Sequence, residues 1–181
     1  MRFFGIKKSN YKKNKELSAL IKTGEMICGQ ALGAVGKMRY GICPMSFNGC
    51  EVIAVYNALA YLGRPQPLCE VAAYMERFRM LCGFFGCNAR YLGKALGHFG
   101  AECTRTKSYE GAEAFIITFW TGFPFFSSLH TVFCVRTRKG IKVYNSYNTC
   151  PDVRIYSTLS DYTGRHRPVA VYIIREQNNG I

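Results

Sequence analysis

The run Val52-Ile-Ala-Val-Tyr-Asn-Ala-Leu-Ala-Tyr-Leu62 is almost entirely apolar and constrains the fold more than any other stretch of the chain. A surface helix carries one apolar stripe, whereas a helix apolar on all sides has to be covered on most of its faces. The Pro- and Gly-containing loop Tyr40-Gly-Ile-Cys-Pro-Met-Ser-Phe-Asn-Gly-Cys-Glu51 leads into the run, and Gly63 with the Pro65-Gln-Pro67 turn stops it. Such a helix needs a core around it, and 181 residues supply one core of good size but are short for two.

The elements that could form this core follow in a definite order. A second helix is expected from Leu68 to about Arg79, with Val71, Ala72, Met75 and Phe78 on one face. A third is expected from Asn88, a good N-cap, to about His98, with Gly100 as its stop. Beyond Gly100 the segments Glu102–Thr106, Ala114–Trp120, Thr131–Val135, Ile141–Asn145, Val153–Tyr156 and Val169–Ile174 are short and rich in Val, Ile, Phe, Tyr and Thr. Gly or charged turns separate them, which is the pattern of strands. Helices first and strands later predict an α+β fold with a mostly antiparallel sheet. Upstream, residues 1 to about 16 read as a basic, polar tail, and Glu16 to Gln30 as one amphipathic helix broken by the Gly-rich segment Gly33 to Gly41. Residues 1–39 are thus expected as a basic N-terminal extension with a helix, and 40–181 as the domain.

Composition narrows the function classes. With 49% hydrophobic residues, 12 Tyr and 13 Phe, the chain is too apolar for a disordered one. Its net charge of +13 points to an anionic partner, and six lysines (Lys7, Lys8, Lys12, Lys13, Lys15 and Lys22) place much of that charge in the N-terminal segment. No nucleic-acid-binding motif accompanies the charge, so nucleic acid is not the expected partner. No run of 18 apolar residues is present, and no transmembrane segment is expected. The nine cysteines are odd in number and follow no apolar leader, which predicts reduced thiols and a cytoplasmic location. Cys82 and Cys87 are separated by four residues and lack zinc-knuckle spacing, so they read as buried apolar cysteines and no metal or other cofactor is expected.

One cysteine stands out by position. Cys50 opens the buried helix, where the helix dipole places partial positive charge beside a sulfur and favours the thiolate. Asn48-Gly49 makes the turn before it, the Cys50 N–H serves one side of an oxyanion hole, and the Asn48 amide is the candidate second donor. A thiol nucleophile needs a base that titrates near neutrality, and there are three histidines. His98 ends a helix, where a cation complements the dipole, and His166 sits in the basic turn Gly-Arg-His-Arg-Pro. His130 instead opens the apolar strand Thr131-Val-Phe-Cys-Val135 at the rim of a sheet. If Arg138-Lys139 is the centre of the next turn, antiparallel pairing sets Asn145 opposite Val132, on the face of His130 and within reach of its ring. Asn148 and Asp152 are the alternative orienting residues.

The order Cys, His, Asn, with Asn48-Gly-Cys-Glu-Val-Ile-Ala-Val-Tyr-Asn-Ala-Leu59, Asn88-Ala-Arg-Tyr-Leu-Gly-Lys-Ala-Leu-Gly-His-Phe-Gly100, His130-Thr-Val-Phe-Cys-Val135 and Val143-Tyr-Asn145, resembles the bacterial papain-like cysteine peptidases that include the double-glycine leader peptidases. The resemblance covers about residues 40 to 175. It implies a papain-like fold, a Cys50 nucleophile, a His130 base, an Asn145 orienter and a peptide or protein substrate. Two positions depart from it. Those enzymes carry a Gln several residues before the nucleophile, and Tyr40 to Gly49 holds none, only Asn48. Glu51 follows the cysteine where a small residue is usual. The expected function is cleavage of a peptide or amide bond through an acyl-enzyme; the alternative is a papain-fold module that binds a peptide or an anionic partner without cleaving it.

Overall fold

The computed structural model describes residues 3–122, 128–164 and 166–175. Helices α1 (Phe3–Ser18), α2 (Gly33–Lys37), α3 (Met45–Asn48), α4 (Cys50–Tyr61), α5 (Leu68–Met75) and α6 (Leu92–His98) precede the main sheet. A small antiparallel ribbon, β1 (Arg39–Tyr40) with β2 (Cys43–Pro44), lies between α2 and α3. The strands β3 (Glu102–Thr106), β4 (Ala114–Thr121), β5 (Ser128–Thr137), β6 (Gly140–Tyr144), β7 (Arg154–Tyr156) and β8 (Pro168–Arg175) form one sheet, with α7 (Leu159–Thr163) between the last two. Their order is β3-β8-β4-β5-β6-β7, antiparallel at every pairing. This is the expected α+β class, and each of the six strands falls on an expected segment.

The apolar run behaves as its composition demands. Residues from Cys50 to Leu59 of α4 are all buried, between α5 and α6 on one side and the sheet on the other. Ile116, Phe133, Tyr172 and Ile174 meet α4 from one face of the sheet, while Phe115, Ile117, Val132, Cys134 and Val171 turn to the other. That second face is covered by Leu159 and Tyr162 of α7 together with Tyr109 and Tyr156. Burial on both faces explains why β4 reads as a continuous apolar string rather than as an alternation. The capping box of Thr158 and Asp161 fixes the start of α7.

The N-terminal region departs from expectation. No single helix runs from Glu16 to Gln30; the helix lies earlier, over Phe3–Ser18, and turns follow it. Its buried face is Asn10, Asn14 and Ser18 at a spacing of four, so the helical period is carried by polar residues that a hydrophobic pattern does not register. These side chains bond to the backbone they cover. Asn10 Nδ2 donates to the Gly41 carbonyl (2.7 Å) and to Glu76 (2.6 Å), while Asn14 both donates to the Arg39 carbonyl (2.7 Å) and accepts the Arg39 N–H (2.8 Å). Helix α1 packs on α5, and Ile27 and Gln30 are buried, so these parts of 1–39 are built into the molecule. The lysines at 8, 12, 13 and 15 remain on the exposed side. Among the described residues no helix is long and apolar enough to cross a membrane.

Candidate active site

Cys50 is the first residue of α4, but the helical path begins one turn earlier, in α3, with Gly49 between the two at φ −90°, ψ 0°. Gly49 is required there by close approach: a Cβ would lie 2.7 Å from the Met45 carbonyl oxygen. The cysteine is 5% exposed, with its sulfur 3.3 Å from Glu51 Oε2 and reached by the Thr131 N–H of β5. Burial, and after it the Glu51 charge, push the thiol well above the usual cysteine range, against the pull of the Thr131 and Glu51 N–H groups. Desolvation thus opposes the thiolate that the helix dipole would favour.

His130 stands two residues into the regular part of β5, paired with Phe119 of β4. Its Nε2 lies 2.9 Å from the main-chain carbonyl of Asn145. A carbonyl only accepts, so Nε2 carries the proton and Nδ1 is left as the basic nitrogen. Desolvation lowers His130 below its ordinary value, opposed by the Asn145 and Ser146 carbonyls. The hairpin turn is the expected Arg138-Lys139, with Thr137 paired to Gly140 and Phe133 to Tyr144. The Asn145 side chain nevertheless does not reach the ring. Strand β6 ends at Tyr144, and Asn145 adopts the left-handed conformation (φ 59°), which swings its amide out of register. That amide clamps Gln30: Oδ1 accepts the Gln30 N–H (2.9 Å) and Nδ2 donates to Gln30 Oε1 (3.0 Å). Asn145 therefore holds His130 through its backbone. Of the alternatives, Asn148 donates to Ser46 (3.4 Å), and the Asp152 carbonyl accepts from Cys150 (3.6 Å).

The Asn48 amide is committed elsewhere. Its Nδ2 donates to the Tyr40 carbonyl (2.9 Å) and to that of Gly83, which ties the turn before Cys50 to the ribbon and to the loop beyond α5. Its Oδ1 and Ser146 Oγ are both buried and have no hydrogen-bond partner among the described residues. Gln30 is the amide in the cleft that the sequence pattern did not reveal, because it enters from twenty positions before Cys50, outside the short upstream window. Its Nε2 makes two long contacts, each 3.3 Å, to the Met45 and Ser46 carbonyls of α3, just before Cys50.

Cys50, His130, Gln30, Asn48, Glu51 and Ser146 line one cleft of about 980 Å³. Phe47, Met80, Phe84 and Phe85 wall it on the helical side, and Trp120, Leu129 and Tyr147 on the sheet side. Among the described residues Glu51 is the only carboxylate and His130 and His166 the only basic side chains that line it, and no described lysine or arginine does. The aromatic wall hangs from a tight loop in which Leu81, Cys82 and Gly83 all have positive φ (43°, 59° and 94°). The Ile42 N–H and Asn48 hold that loop by its carbonyls. Trp120 and Gly122 also line the cleft; residues 123–127 lie outside the described residues. His98 is stacked on Tyr74 (3.6 Å between centroids) and is not among the residues lining the cleft. Cys87 is buried beside Glu51, and among the described residues no group of three or more His, Cys, Asp or Glu could hold a metal ion. No family model, no curated protein and no solved structure matches this chain.

Proposed function

We propose that the chain is a papain-like thiol hydrolase that cleaves a peptide or amide bond through a Cys50 acyl-enzyme. The observation that carries this reading is the hydrogen bond from His130 Nε2 to the Asn145 carbonyl, which leaves Nδ1 as a base in the cleft that Cys50 lines. Because burial disfavours the charged forms of both thiol and imidazole, proton transfer accompanies attack rather than preceding it. His130 Nδ1 takes the thiol proton, Cys50 Sγ adds to the substrate carbonyl, and the oxyanion turns to the Cys50 N–H and to Gln30 Nε2, whose long contacts to Met45 and Ser46 are readily exchanged. The imidazolium then protonates the leaving amine, and water, activated by His130, releases the acid. Asn145 takes the orienting role through its carbonyl. The exposed lysine face of α1 is set apart from this chemistry and suits an anionic partner.

A peptidyl chloromethyl ketone tests the reading. Mapping by mass spectrometry is expected to find Cys50 alkylated, about 100-fold more slowly in His130→Ala. Alkylation of Cys50 at an unchanged rate in that variant would overturn the base assignment. The neutral, buried thiol favours one second reading, a module that binds a peptide in this cleft without cleaving it. A fluorescent peptide bound equally by the wild type and Cys50→Ser, with no product formed by the wild type, selects that reading.

A further inference from the structure

We infer that Glu51 is a further catalytic residue of the cleft: its neutral carboxyl donates a hydrogen bond to the Cys50 sulfur and holds the thiolate, and its ionised form blocks thiolate formation. The inference rests on Cys50 being the nucleophile of the proposed hydrolase. A glutamate in the first turn of a helix ordinarily faces water, where its charge complements the dipole at no desolvation cost. Glu51 is instead 3% exposed, with Oε2 at 3.3 Å from the Cys50 sulfur. Its seat is shaped for a carboxyl group. Gly86 (φ +66°) packs flat against it, so close that a Cβ there would lie 2.9 Å from Oε2, and the Cys87 N–H donates to it.

Among the described residues no cation acts on this group. Among the described residues the titratable side chains in electrostatic contact with it are Cys50 of α4, Cys87 beyond the tight loop, and Tyr40 of β1, on which Glu76 also acts. All of them are neutral or negative. A carboxylate so placed has only hydrogen bonds to offset its burial, from its own N–H, the Cys50 thiol and the Cys87 N–H, and desolvation outweighs them, so the site favours the neutral acid. Consistent with the geometry, burial raises Glu51 from 4.5 to about 7.

The proton accounting follows from this placement. With Glu51 neutral, the thiol proton passes to His130 Nδ1, the Glu51 O–H turns its hydrogen onto the sulfur anion, and the sulfur bonds to the substrate carbonyl carbon as the C=O electron pair moves to oxygen. When the C–N bond breaks, the amine leaves with the proton from His130, and Glu51 keeps its own throughout. With Glu51 ionised, the same transfer would set two negative charges about 3.3 Å apart in a desolvated site. An ordinary thiol reacts faster as pH rises; here the rate falls.

The test is the pH dependence of Cys50 alkylation by a neutral peptidyl chloromethyl ketone, mapped by mass spectrometry, in the wild type, Glu51→Gln and Glu51→Ala. In the wild type the rate is expected to fall by about tenfold or more between about pH 6.5 and 8.5, since one proton must be present. Glu51→Gln, which keeps an N–H donor of the same shape, is expected to lose that falling limb, and Glu51→Ala to lose both the limb and most of the rate. A falling limb retained in Glu51→Gln, or a wild-type rate that rises through pH 8.5, overturns the inference while leaving Cys50 as nucleophile. If no form alkylates Cys50 at any pH, the hydrolase reading itself fails. A carboxyl infrared band that titrates near neutrality in the wild type and is missing from Glu51→Gln supports the inference independently of activity; its disappearance already below about pH 5 overturns it.

Discussion

Glu51 also leaves a mark on stability that can be calculated. An acid moved from 4.5 in the unfolded chain to about 7 in the folded one changes the folding free energy by about 3 kcal/mol, at about 1.4 kcal/mol per pH unit. The sign follows from the proton count. Below about pH 4.5 both states hold the proton; between 4.5 and about 7 the unfolded chain has released it while the folded chain retains it, so stability falls as pH rises through this window. Glu51→Gln keeps the shape and the acceptor for the Cys87 N–H but has nothing to titrate. Its stability relative to the wild type is therefore expected to grow by about 3 kcal/mol from about pH 4.5 to 8, a sizeable part of the 5–15 kcal/mol typical of a domain. Urea unfolding followed by circular dichroism at about pH 4.5, 6 and 8 reads the difference directly, and comparison of the two proteins cancels the other carboxylates. A gap constant across that range to within about 0.5 kcal/mol would refute the reasoning.

Three further outcomes follow from the same geometry. Asn145→Gly keeps the left-handed backbone that aims the carbonyl at His130, whereas Asn145→Ala opposes it, so peptide cleavage is expected to survive better in the glycine variant; equal losses would count against a backbone role. Gln30→Ala removes an oxyanion donor and is expected to lower kcat by about 100-fold with KM little changed, as read with a fluorogenic peptide. Iodoacetamide is expected to modify Cys150 before Cys50, because Arg154 Nε donates to the partly exposed Cys150 sulfur (3.3 Å) and lowers its pKa, and Arg154→Ala should slow that modification in a peptide-mapping time course.

What could be read from the sequence was whatever apolar pattern encodes. The run beginning at Val52 announced a buried helix, and the Val-, Ile- and Phe-rich segments announced six strands, because burial of apolar area is both the main driving force and the main pattern. Polar residues that serve the interior escaped. Asn10, Asn14 and Ser18 give α1 a buried face with no hydrophobic signature, so the helix was expected too late in the chain. The candidate site divides in the same way. Cys50 and His130 follow from an element start and a strand rim, and both line the cleft. The role of Asn145 depends on a left-handed residue at a strand exit, and Gln30 comes from a distant turn, neither of which has a local spacing rule. Asn48 lies where expected but spends its hydrogens on the carbonyls of Tyr40 and Gly83, a choice that only the folded backbone makes.

The Gln30–Asn145 clamp joins residues 115 positions apart. Such a contact closes a long loop and pays its entropy only when most of the intervening chain is already ordered. The Asn145 carbonyl that meets the His130 ring lies just past the end of β6, so it is in place only once that strand is. In the proposed hydrolase, completion of the fold is thus the step that would bring base and thiol into use together, and a partly synthesised or partly unfolded chain would carry Cys50 without its partner.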